Sequence, residues 1–146
     1  MRIYFDMCSL QRPLDDQTQL RVLVETQAVL GVLALCESGA IELIASDALV
    51  FENEANPDVV RRDYAAQAIA MATEFVPSND QIKGKAQMFV ANGIKPLDAL
   101  HLASAIEAQA NFFCTCDDRF LNKARSLDTS PTIVVSPVEL VMELQK

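Results

Sequence analysis

The chain has a single histidine, no tryptophan, only four glycines, and no Cys-x-x-Cys pair among its four cysteines. Each scarcity removes a class of chemistry. Zinc sites need tighter ligand spacing than Cys8, Cys36, Cys114, Cys116 and the lone His101 offer, so the cysteines read as free thiols. A Ser-His-Asp hydrolase would depend on His101 alone, which stands one helical turn after Asp98 and reads better as packing or as a hydrogen-bond partner to a site. No GxxxxGK[ST] or GxGxxG phosphate loop occurs. The longest apolar run, Ala28 to Cys36, falls well short of the ~20 residues of a membrane helix and belongs to an amphipathic helix instead. Asp6 interrupts the short apolar stretch after Arg2, which argues against a secretory leader and makes a cytoplasmic protein the simplest expectation.

What is present suits one compact unit. With 146 residues, 51% hydrophobic and 22% charged, the chain is long enough to bury a real core and too apolar for disorder. No repeat or long linker divides it, so residues 1–146 are expected to form a single domain. The net charge of −8 argues against a polyanionic partner, unless a carboxylate cluster holds divalent cations and cancels part of it. The basic residues fall in small groups: Arg61 with Arg62, Lys83 with Lys85, then Arg119, Lys123 and Arg125.

Short apolar strands alternate with helical segments. Residues 2–6 read as a buried strand, Ile41 to Ala45 as a second, Phe112 to Thr115 as a third and Thr132 to Val135 as a fourth. Helices are expected over Gln17 to Ser38, where Leu20, Leu23, Ala28, Leu30, Val32 and Leu35 follow helical spacing and Gly39 is a stop signal. Further helices are expected from the cap Ser46 to about Asn56, and from Asn56-Pro57 to about Phe75. Another runs from a Ser78/Gln81 capping box to about Asn92, and one carries Asp98 in its first turn and ends near Ala110. A short helix carries Arg119, Phe120 and Lys123, and the last starts at Ser136-Pro137-Val138-Glu139. This alternation predicts parallel strands covered on both faces, an open α/β sandwich.

Four carboxylates fall where strands or their partner helices end: Asp6, Glu52, Asp98 and Asp117. In open α/β sheets, sites form outside the carboxyl ends of the strands. Two carboxylates ~5 Å apart repel by roughly 3 kcal/mol at an effective dielectric of about 20, so a cluster of four needs a cation. All-oxygen ligands suit Mg²⁺ or Mn²⁺. A phosphoaspartate phosphatase would want a second acid two residues after Asp6, where Cys8 stands.

The ordered set of an apolar strand ending in Asp6, Ser46-x-x-Leu49-x-x-Glu52, Pro96-x-Asp98-x-x-His101-x-Ala103 and Thr115-x-Asp117-x-x-Phe120 resembles PIN-domain proteins over nearly the whole chain. The resemblance implies a three-layer sandwich with a four- or five-stranded parallel sheet. It also implies that Asp6, Glu52, Asp98 and Asp117 bind Mg²⁺ or Mn²⁺ and cleave RNA. Small bacterial members of this kind are often toxins of VapBC-type toxin–antitoxin pairs, which implies a cognate antitoxin and a homodimer. A nuclease of RNA maturation and a PIN-like binding module without cleavage are the alternatives. Such proteins often carry Ser or Thr within two residues of the first Asp; here Met7 and Cys8 occupy those positions, leaving Ser9 or Thr115 for a supporting role. Arg119 and Lys123 are the candidates for holding the RNA backbone.

Overall fold

A computed structural model describes residues 1–146. Five strands, β1 (Arg2–Phe5), β2 (Glu42–Ser46), β3 (Glu74–Val76), β4 (Phe112–Cys114) and β5 (Ile133–Val135), form one all-parallel sheet in the order β3-β2-β1-β4-β5. Ile3, Tyr4 and Phe5 in the central strand are all buried. Because successive strand residues point to opposite faces, both faces of β1 must be covered.

The cover comes from eight helices: α1 (Met7–Leu10), α2 (Leu20–Glu37), α3 (Asp47–Glu54), α4 (Val59–Ala70), α5 (Asp80–Ala91), α6 (Pro96–Glu107), α7 (Asp118–Arg125) and α8 (Pro137–Leu144). α2 packs on α8, while α6 packs on α5, α3 and β2. The result is the three-layer α/β sandwich expected, around one cluster of 37 buried apolar residues.

Several local signals operate as read. Ser46 Oγ accepts from Leu49 N–H at 3.2 Å and starts α3. Ser136 and Glu139 form a reciprocal capping box with Pro137 in the first turn of α8. Gly39 follows α2 at φ +83°, a conformation that costs glycine nothing.

Other boundaries differ, each for a local reason. α2 begins at Leu20 rather than Gln17, because the Gln17 amide is held by the carbonyls of Arg12, Pro13 and Asp15. Its buried stripe is Val22, Thr26, Val29, Val32, Leu33 and Cys36, while Leu20, Leu23, Leu30 and Leu35 are exposed. Asp58, not Asn56, caps α4, since Asn56 Oδ1 is occupied by Asp58 N–H and Pro57 lies before the helix. Asn79, not Ser78, caps α5. α4 ends at Ala70 instead of near Phe75: Thr73 N–H reaches Leu43 O, and Glu74–Val76 then add to the edge of β2 as a fifth strand. Directly after Asp6 comes the single-turn helix α1.

Candidate active site

The strand order reverses between β1 and β4. The chain winds outward from β1 through β2 to β3 on one side, and β4 and β5 add on the other. Ligand sites in such sheets lie at the carboxyl ends of the two strands flanking that reversal. Asp6 directly follows β1, and Asp117 follows β4 after Thr115 and Cys116. Asp98 lies in the first turn of α6, and Glu52 lies in α3, which begins directly after β2.

Three of these acids are anchored through one carboxylate oxygen. Asp6 Oδ1 accepts from Ser9 N–H and from the Cys8 thiol, both at 3.1 Å, and so caps α1. Asp117 Oδ1 accepts from Phe120 N–H at 3.1 Å and caps α7. Glu52 Oε1 lies 2.6 Å from His101 Nε2. The second oxygens of Glu52 and Asp117, and both oxygens of Asp98, make no hydrogen bond within the chain. Phe120 packs edge-on against Phe113 at 5.4 Å, which fixes the start of α7 beside β4.

The acids share one electrostatic field. Burial pushes the Asp98 carboxyl up to about 6, and the negative charges of Asp6, Asp117 and Glu52 add to that rise. Burial also raises Asp6, against hydrogen bonds from Thr115, Cys8 and the Ser9 amide. No lysine or arginine pairs with any of the four acids. The donor set is therefore hard, all-oxygen and anionic, which fits Mg²⁺ or Mn²⁺ by its chemistry. No three of these side chains converge on one point.

Basic side chains stand on one flank. Lys95, Arg119 and Lys123 line a small pocket together with Asp98, Asp117 and Gly93. Gly93 has φ +97°, and a β-carbon there would sit 2.8 Å from Lys123 Nζ. Glycine thus lets the Lys123 side chain fold over this turn toward the acids. Asp6 is absent from the pocket lining because it lies deeper, only 5% exposed.

The family model described as PIN domain matches residues 3–126. The chain belongs to the PIN domain family. PIN domains are generally nucleases, so this chain carries a nuclease fold. No curated protein matches it. No helix of this PIN domain is long and apolar enough to cross a membrane.

The supporting residues sort themselves by contact. Thr115, fully buried, accepts from Asp117 N–H at 3.1 Å and hydrogen-bonds Asp6, so it joins two of the acids. Ser9 serves Asp6 through its amide; its hydroxyl points to the Cys114 carbonyl at 3.1 Å. His101 is buried and touches Glu52. Lys95, Tyr4 and the Cys8 thiol were not readable as site groups. Lys95 precedes a proline in what looks like a plain turn, Tyr4 sits inside an apolar strand, and nothing in a sequence shows that the Cys8 thiol faces the carboxylate that caps its own helix.

Proposed function

We propose that this PIN domain is a Mg²⁺- or Mn²⁺-dependent endoribonuclease and the toxin of a type II toxin–antitoxin pair. The observation that carries the nuclease reading is a PIN-family chain in which Asp98 feels the charges of Asp6, Asp117 and Glu52 and no lysine or arginine pairs with any of the four. Asp6 and Asp98 hold the principal ion directly, and Glu52 and Asp117 contribute directly or through water. When bound, the ion activates a water and offsets charge developing on the phosphodiester.

The chain's own residues supply the rest. One carboxylate takes the proton of the attacking water. Arg119 and Lys123, with Lys95 beside them, hold phosphates of the backbone across the pocket. Water attacks phosphorus in line as the P–O3′ bond breaks, and the leaving 3′ oxygen takes a proton from solvent water, giving 5′-phosphate and 3′-hydroxyl products. Since no 2′-hydroxyl takes part, preference for RNA comes from contacts along the groove. The reading as a toxin rests on the resemblance of the chain's motifs to PIN-domain proteins, many bacterial members of which are toxins.

The deciding assay is Mn²⁺-dependent cleavage of a mixed RNA pool by wild type, Asp6→Asn and Asp98→Asn. Cleavage by wild type alone is expected; wild type as inert as both variants across metals defeats the enzyme reading. The net charge of −8 favours a second reading, a module that binds a partner without cutting, and that inert result would support it. For the toxin, induced expression should arrest growth, and unaffected growth counts against it.

A further inference from the structure

Buried polar groups at the centre of the sheet form a connected chain that ends on Glu52. Ser46 Oγ lies 2.6 Å from the Tyr4 hydroxyl, that hydroxyl lies 2.7 Å from His101 Nδ1, and His101 Nε2 lies 2.6 Å from Glu52 Oε1. Ser46, Tyr4 and His101 are at most 1% exposed, so solvent does not substitute for any of these bonds. They come from the end of β2, from β1 and from α6, and Glu52 comes from α3.

The positions of the protons follow from the two ends. An ionised Glu52 only accepts, so Nε2 carries a hydrogen, and Nδ1 is the acceptor when the ring holds no second proton. Tyr4 must then donate to Nδ1, and its oxygen accepts from the Ser46 hydroxyl. The Ser46 oxygen in turn accepts from Leu49 N–H at 3.2 Å. Each hydroxyl donates once and accepts at least once, and no group in the chain is left over. Burial drives the Tyr4 phenol far above its ordinary range, so its hydrogen stays in place. The ring is held independently by stacking on Phe113, with centroids 5.2 Å apart and planes 12° from parallel.

We propose that Ser46, Tyr4 and His101 are positioning residues that clamp Glu52 Oε1 and reserve Oε2 for the metal, so that Tyr4 sets metal affinity from beneath the site without touching ion or substrate. The proposal rests on the metal-dependent reading above. A glutamate at 33% side-chain exposure has free rotamers unless something fixes it, and a fixed ligand oxygen binds without first being ordered.

Two measurements test this. His101 is the only histidine, so long-range ¹H–¹⁵N spectra of the metal-free wild type near neutral pH report its tautomer without ambiguity. The Nε2–H form is expected, and the Nδ1–H form overturns the proposal without requiring any variant to fold. Calorimetric Mn²⁺ titrations then compare Tyr4→Phe in two backgrounds. In the wild-type background it should weaken Mn²⁺ binding roughly tenfold, the scale of losing an outer partner of a ligand. In a Glu52→Ala background it should change affinity by less than about twofold, because the route through Glu52 is gone. An equal loss in both backgrounds means that Tyr4 acts on the fold, and overturns the proposal. Wild type that binds Mn²⁺ and cuts RNA while Tyr4→Phe matches it refutes the positioning alone. Wild type that neither binds nor cuts refutes the metal-dependent reading and the positioning with it.

Discussion

Glu25 and Asp6 are buried to nearly the same degree, 4% and 5% exposed, yet the chain treats them in opposite ways. Glu25, on α2, receives Arg12 through Nε at 3.0 Å and Nη2 at 2.6 Å, and Arg21 at 3.3 Å. The same arginines extend outward, Arg12 to Asp15 and Arg21 to Asp118. Around Asp6 there are only neutral donors, a thiol, a backbone amide and the Thr115 hydroxyl, and its charge joins those of Asp117 and Glu52 in raising Asp98. A buried charge needs compensation in either place. At Glu25 the sequence supplies it; at Asp6 the ion proposed above would. That contrast separates a carboxylate that builds the fold from one left, on the proposed reading, for an ion.

Substitutions at the two places should therefore diverge. The largest effect belongs to the acidic edge. Asp98→Asn is expected to reduce Mn²⁺-dependent cleavage more than about a hundredfold, beyond the range typical of outer-shell partners, while leaving the metal-free protein folded. Retained cleavage would erase the distinction. Next, Glu25→Gln should cost about 2–3 kcal/mol in chemical denaturation. This is below the usual cost of breaking a buried pair, because Arg12 keeps Asp15. The loss should be the same with and without Mn²⁺, and a stabilised variant would show that Glu25 is also an unbalanced charge.

Smaller effects sharpen the picture. Arg119→Ala and Lys123→Ala should each weaken RNA binding and lower the salt slope of log affinity by about one, the signature of a lost phosphate contact. An unchanged slope removes them from the RNA path. The smallest effect is one of pH. The metal-free folded protein holds the Asp98 proton up to about 6, against 3.8 ordinarily. A carboxyl that binds its proton more tightly when folded makes stability fall as pH rises from about 4 to above 6. Asp98→Asn lacks that loss, so its melting temperature relative to wild type should climb across this window in chelator. Saturating Mn²⁺ should diminish the climb, and a flat difference in chelator would show that Asp98 carries no such strain.

Much of this arrangement was readable in the sequence because strands and caps announce themselves locally. Asp6, Ser46 and Ser136 sit where an apolar run stops, and their side chains act there as N-caps. β3 was not readable. Three residues at a sheet edge after an alanine-rich helix carry no period of their own, and only the bond from Thr73 N–H to Leu43 O draws them onto β2. The buried stripe of α2 was likewise hidden, since the leucines that stand out in its sequence face solvent while valines and Thr26 pack inward. Of the site, Asp6 and Asp117 follow the ends of β1 and β4, and Asp98 in α6 is near enough to feel the charges of Asp6, Asp117 and Glu52. Their partners Tyr4, Cys8 and Lys95 depend on contacts between distant segments, and spacing does not encode those.

Asp6 and Asp117 are helix caps as well as acids, whereas Asp98 caps nothing; burial raises the carboxyls of both Asp6 and Asp98. Drift after a loss of function would therefore meet unequal resistance. Replacing either cap costs about 1 kcal/mol of stability even when no ion is wanted, which offsets the burial penalty relieved at Asp6, while replacing Asp98 relieves its penalty with no cap lost. In a lineage released from selection for cleavage, the α6 aspartate should be the first of the set to disappear. The two caps should persist as relics of a chemistry no longer performed.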